Sequence, residues 1–135
     1  YRSYVILGDG ELQEGQTWEA AMFASSNELS NLCLIVDLNQ LQVEGHTDKV
    51  IKMKPIDEKF QAFGWNAISV DGHSFEDLDR AFNLARNETK KPTVIIAKTI
   101  VGKGVPFLEG KMSHNMVLPA HVAENALEKL GGSLD

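Results

Sequence analysis

Two stretches decide the fold: Tyr4-Val5-Ile6-Leu7-Gly8-Asp9-Gly10 and Leu32-Cys33-Leu34-Ile35-Val36-Asp37-Leu38-Asn39. Each is a short apolar run that ends on polar residues. Between Gly10 and Asn39 lie 28 residues, enough for a turn, a helix and the return strand. If the two strands run parallel, their carboxyl ends share one edge, and Asp9 and Asn39 meet there. One carboxylate and one amide oxygen, beside glycines that let a backbone approach, suit a hard cation holding a phosphate ester.

The rest of the chain repeats the strand-then-helix pattern. From Glu14 to about Leu29, Trp18, Ala21, Met22, Ser25 and Leu29 recur at helical spacing. Glu14 and Glu19 near its start sit well against the positive end of the helix dipole. Residues 38–54 show no period, and Gly45 marks a turn within them. Pro55 opens a short helix carrying Ile56, Phe60 and Phe63 on one face, closed by Gly64. Asn66–Val70 reads as a strand closed by Asp71-Gly72. Ser74 caps a helix with Asp77 at its third position, and Phe75, Leu78, Phe82 and Ala85 form the expected buried stripe. Thr93-Val94-Ile95-Ile96-Ala97 is strongly apolar and β-branched, as a strand buried on both faces should be. An irregular stretch, 100–118, precedes a helix from Pro119 that is expected to bury Val122, Ala126, Leu127 and Leu130 and to stop at Gly131-Gly132. The expected fold class is α/β, a parallel sheet with helices on both faces, formed by residues 1–135 as one domain. In such sheets ligands gather outside the carboxyl ends of the strands.

Composition narrows the partners. The 135 residues carry a formal charge of −6 and no basic run, which argues against nucleic acid. No apolar stretch reaches the roughly 20 residues needed to span a bilayer, so no membrane partner is expected. Cys33 is the one cysteine; it lies within an apolar strand and reads as a buried hydrophobe in a reducing, cytoplasmic setting. Only Tyr1-Arg2-Ser3 precede the first strand, so the chain reads as truncated at its N-terminus. An octahedral Mg²⁺ (or Ca²⁺ or Mn²⁺) held by Asp9, Asn39 and a backbone carbonyl keeps further positions for phosphate oxygens. No Gly-x-Gly-x-x-Gly is present, and Gly102-Lys103-Gly104 lacks the spacing of a phosphate-binding nucleotide loop.

Gly8-Asp9-Gly10 followed by Asn39 resembles the thiamine diphosphate motif. Gly10-Glu11-Leu12-Gln13-Glu14-Gly15 and Trp18-Glu19-Ala20-Ala21 resemble the transketolase family in particular. So do Asn31-Leu32 through Asp37, Ala62-Phe63-Gly64-Trp65, Val70-Asp71-Gly72-His73, and Lys91-Pro92-Thr93 with Gly102-Lys103-Gly104-Val105. The related deoxyxylulose-phosphate synthases and 2-oxoacid dehydrogenases share the metal motif but usually lack Gln-Glu-Gly after it. The resemblance implies a thiamine diphosphate-binding fold, with the metal held by Asp9, Asn39 and the carbonyl of Leu41. It implies that Gly8 and Gly10 border the diphosphate, with the Gly10 N–H donated to it, and that Val43 and Val101 lie against the cofactor. Glu14 and Glu19 match glutamates of a network between the halves of a dimer, the alternative to plain dipole-favoured acids. An ungapped reading puts His114 on a histidine that faces the donor substrate; a shift before it puts Asn115 there instead. The family's glycine after that histidine is absent, and Pro119 follows at a longer spacing.

The implied activity is transfer of a two-carbon ketol unit from a ketose to an aldose sugar phosphate. The resemblance also implies a partner, either a C-terminal portion or a separate C-terminal subunit, in a homo- or hetero-oligomer. The resemblance further implies that most residues around the cofactor's reacting end, the glutamate that activates its aminopyrimidine among them, come from outside this chain. The Gly131-Gly132 tail resembles the place where separate N-terminal subunits stop. Two other readings stand beside this one: a cofactor-site remnant serving as a binding or assembly module, and a doubly wound domain with no cofactor.

Overall fold

The computed structural model describes residues 1–133; the last two positions of the expected 1–135 domain lie outside the described residues. A four-stranded parallel sheet forms the centre, in the order β1 (Ser3–Gly8), β2 (Leu32–Leu38), β6 (Thr93–Lys98), β5 (Asn66–Asp71). Between β2 and β5 the chain also forms a small antiparallel hairpin, β3 (Leu41–Gln42) and β4 (Gly45–His46).

The helices follow from the order of the strands. Helix α1 (Gly15–Ser26) carries the chain from β1 to β2, and α3 (Ile56–Ala62) precedes β5. The path then turns back: α4 (Phe75–Asn87) leads from β5 to β6, which inserts beside β2. Right-handed crossovers in opposite directions place their helices on opposite faces. Two core clusters bear this out. Leu34, Val36, Val94 and Ile96 pack with Ala21, Ala24, Ile56 and Phe60 on the α1 and α3 side. Cys33, Ile95 and Ala97 pack with Ala81 and Ala85 on the α4 side. Alternate residues of β2 and β6 thus feed alternate faces, and the apolar run of β6 is buried from Thr93 to Ala97. Helices lie on both faces of a parallel sheet, as the sequence implies.

Details differ. The first helix starts after a 3-10 turn at Glu11–Gln13 and stops at Ser26, short of Leu29, where Glu28 adopts a left-handed φ of 50°. Met22 is half exposed on its outer side. The stripe of α4 is Leu78, Ala81, Phe82 and Ala85, a regular i, i+3, i+4, i+7 set. Phe75 does not join it. It stands in the first turn, before the helix meets the sheet, and is 90% exposed. Ser74 caps this helix as expected, its hydroxyl accepting the Asp77 N–H at 3.1 Å. In α5 (Ala120–Lys129) Ala126 is buried, whereas Leu130 lies past the last turn, at the C-cap, and is exposed. The aperiodic 38–54 stretch folds into the β3–β4 hairpin and a one-turn helix, α2 (Thr47–Val50).

Candidate active site

The parallel register pairs Gly8 with Asp37, so the ends of β1 and β2 coincide. The Asp9 N–H donates to the Asp37 carbonyl at 3.1 Å. Beyond Asn39 the chain reverses through Gln40, whose φ of 64° is left-handed, a conformation costly for a residue with a Cβ. That turn brings the Gln40 N–H to Asp9 Oδ2 at 3.1 Å. Thr47, buried at the start of α2, donates its hydroxyl to the same oxygen at 2.9 Å. The hairpin and α2 therefore fold over Asp9 and leave it 2% exposed.

The other carboxylate oxygen is different. Asp9 Oδ1 is buried and has no hydrogen-bond partner. Burial pushes the Asp9 carboxyl above its usual range, outweighing the hydrogen bonds from Thr47 and Gln40, and the nearby Asp37 charge pushes the same way. A buried anionic oxygen without a donor is costly unless something positive completes it. A proton does that, and so does a divalent cation. Among the described residues no three His, Cys, Asp or Glu side chains converge on one cation position. A cation at Asp9 thus needs neutral protein oxygens and oxygens from a ligand, the donor set of a metal–phosphate site.

Asn39 carries a neutral amide oxygen at the same strand edge. Its amide nitrogen donates to Asp37 Oδ2 at 2.9 Å, and its Oδ1 accepts the Leu41 N–H at 2.9 Å, leaving that oxygen a second lone pair. A cavity of about 550 Å³ opens beside these groups. Gly8, Gly10, Glu14, Asn39, Leu41, Val43 and His114 all line it, with Gln42 and Glu44 on the hairpin side. The backbone of Gly10 comes close to the hairpin: a Cβ there would lie 3.1 Å from the Gln42 Cβ, a tight contact. Gln42 is itself fixed, donating to Glu44 Oε2 and accepting from the Gln13 amide, both at 2.8 Å. The contact from Gln42, together with its own backbone, holds the exposed Glu44 carboxyl below its usual range, and His114 contributes in the same sense.

The sequence-predicted residues therefore divide. Gly8, Gly10, Glu14, Asn39, Leu41, Val43 and His114 come to one cavity; Asp9 does not line it and lies buried under the Gln40 turn. His114, not Asn115, is the residue on the cavity wall. Glu19 is exposed on α1 and Val101 lies in the 99–110 loop, its carbonyl accepting the Gly110 N–H at 2.9 Å; neither lines the cavity. Thr47, Gln40, Gln42 and Asp37 were not legible as site residues. A buried threonine in an aperiodic stretch is one weak signal; a left-handed glutamine leaves none.

Comparison with known proteins fixes the class. The family described as transketolase, thiamine diphosphate binding domain, matches residues 1–133. The chain belongs to that family. It is 42% identical over 128 residues to the 6-deoxy-6-sulfo-D-fructose transketolase subunit of a Clostridium species, covering 94% of this chain and 46% of the relative. It is 44% identical over 131 residues to human transketolase, covering 96% of this chain and 20% of the relative. An apulose-4-phosphate transketolase subunit of Phocaeicola vulgatus is 36% identical over 136 residues, covering 100% of this chain and 48% of that one. The crystal structure of Campylobacter jejuni transketolase superposes with a TM-score of 0.90 at 36% identity, over 98% of this chain and 21% of that one. The chain spans less than half the length of these relatives. Among the described residues no helix is long and apolar enough to cross a membrane.

Proposed function

We propose that this chain holds the diphosphate end of thiamine diphosphate through a divalent metal, Mg²⁺ by preference, for transfer of a two-carbon ketol unit from a ketose to an aldose sugar phosphate. The observation that carries this reading is the buried, unpartnered Oδ1 of Asp9, a residue that stands in sequence between Gly8 and Gly10, both of which line the cavity. Asp9 Oδ1, Asn39 Oδ1 and the Leu41 carbonyl are the protein ligands. Gly8 and Gly10 border the diphosphate, and Val43 packs against the cofactor. When bound, thiamine diphosphate supplies the carbanion chemistry and the electron sink. The chain's own part is to bind and orient it. Thr47 and Gln40 hold Asp9 by one oxygen and so aim the other; His114 faces the donor sugar from the cavity wall; Glu14 and Glu19 belong to an interface network between halves of an oligomer.

A C-terminal transketolase portion or subunit completes the site, in keeping with relatives named as subunits and with this chain's share of their length. A cytoplasmic setting suits the single free cysteine. One pair of observations favours the second reading, a remnant site kept for assembly: Val101 does not line the cavity, and the glycine expected after His114 is Asn115.

Calorimetric titration of thiamine diphosphate with and without Mg²⁺ separates the two. Saturable binding that needs the metal and is lost in Asp9→Ala is the expected outcome. Absence of binding even with the C-terminal portion added would show that only a remnant survives.

A further inference from the structure

Asp37 is half-buried at the end of β2 and belongs to none of the ligand sets, yet it joins three segments of the site. Its Oδ2 accepts the Asn39 amide at 2.9 Å. Its Oδ1 accepts a hydrogen bond from the Thr99 hydroxyl, 62 residues away. Its backbone carbonyl receives the Asp9 N–H. Thr99 is itself held at the mouth of β6. Its N–H donates to the Leu38 carbonyl at 3.2 Å, and Gly72 lies so close that a Cβ there would meet the Thr99 Cγ2 at 2.5 Å. The next residue, Ile100, donates its N–H to His73 Nε2 at 2.8 Å.

An amide side chain has two nearly isosteric faces, one donating and one accepting, and only the accepting face can bind a cation. Asn39 is denied the wrong face twice. Flipped, its oxygen would stand against the Asp37 carboxylate, and its NH₂ would stand against the Leu41 N–H. The Leu41 contact is a single neutral bond. The Asp37 contact is charge-assisted, and is the stronger of the two.

We propose that Asp37 is a positioning residue for the metal–diphosphate site: it fixes the amide of Asn39 with the oxygen toward the cation, and its second oxygen, through Thr99, ties that ligand to the start of the 100–118 loop. This rests on the metal reading of Asp9 and Asn39. Residues behind the ligands of a metal commonly change affinity by about 10–100-fold when removed. Asp37 therefore acts on metal binding without touching the metal.

The test uses the chain with Mn²⁺ and thiamine diphosphate, free Mn²⁺ being followed by its paramagnetic resonance. It is paired with NMR of the Asn39 side-chain amide in the metal-free protein. The wild-type Asn39 amide protons should exchange slowly, with one displaced by the carboxylate. Asp37→Ala should abolish that protection and weaken Mn²⁺ binding by about 10–100-fold. Asp37→Asn keeps an oxygen available to Asn39 and should recover most of the affinity; Thr99→Val leaves the Asn39 contact and should keep its protection. Asp37→Ala binding Mn²⁺ as the wild type does, whatever its stability, overturns the proposal. So does a wild-type Asn39 amide that exchanges freely, a result that needs no variant to fold. A wild-type chain that takes up no Mn²⁺ even with the C-terminal portion added overturns the metal reading, and with it the role of Asp37, while a protected Asn39 amide in the same sample would still report the hydrogen bond itself.

Discussion

At the scale of the residue, the contrast between Asp9 and Cys33 is instructive, since both are buried and both have a raised pKa. Burial lifts the Cys33 thiol to about 11, so it stays neutral and fits the α4-side core as a small hydrophobe. Native protein should not react with a disulfide reagent at neutral pH, and should release one thiol per chain on denaturation; fast labelling of the native form would refute the buried reading. Asp9 cannot be dismissed in the same way, because it has a set of donors on one oxygen and nothing on the other. Asp9 and Asn39 were legible because a polar residue straight after an apolar strand is informative by position. Asp37 followed the same rule but reads as an ordinary strand end, since its partner Thr99 is 62 residues away and enters only through β6. Thr47 and Gln40 depend on a chain reversal that has no periodicity to announce it.

At the scale of the element, the strands were the most legible part and the helix faces less so. Apolar runs of the length of β2 and β6 leave little choice of conformation once turns bound them. Burial of a helical position depends also on where along its length the helix touches the sheet. Phe60 and Phe75 show the difference. Phe60 is fully buried between Trp18 and Trp65, with ring centroids at 5.1 and 5.4 Å, while Phe75 is almost wholly exposed. Phe60→Ala should cost about 3–5 kcal/mol in urea unfolding, from lost transfer energy and the cavity left behind. Phe75→Ala should stay within about 0.5 kcal/mol of the native chain. Equal effects would mean that α3 does not pack on the sheet through Phe60. The 38–54 stretch lies at the other extreme: contacts to Asp9 and Gln13, its own hairpin, and Leu38 and Met53 at the two ends in the core hold it, and no hydrophobic repeat encodes it.

At the scale of the whole molecule, this chain carries a family's binding domain and under half the length of its relatives. On the proposed reading the cavity takes the diphosphate and His114 faces the substrate, so ketol transfer should need the C-terminal portion. Purified alone, the chain is expected to show no transfer from a ketose phosphate to an aldose phosphate in a coupled assay; adding that portion should restore it, and Asp9→Ala should block the restoration. Finally, β1 stands at the open side of the sheet. From Ser3 to Gly8 it carries no charged side chain, and Tyr4, Val5 and Ile6 are all substantially exposed. Unpaired backbone donors and acceptors beside apolar side chains form a template for another strand, and charge on such an edge is the usual protection against it. The isolated chain should therefore lose monomer as its concentration rises, visible in light scattering at temperatures where the fold is intact. Ile6→Lys puts a charge on that edge and should hold the chain in solution at concentrations where the native sequence associates.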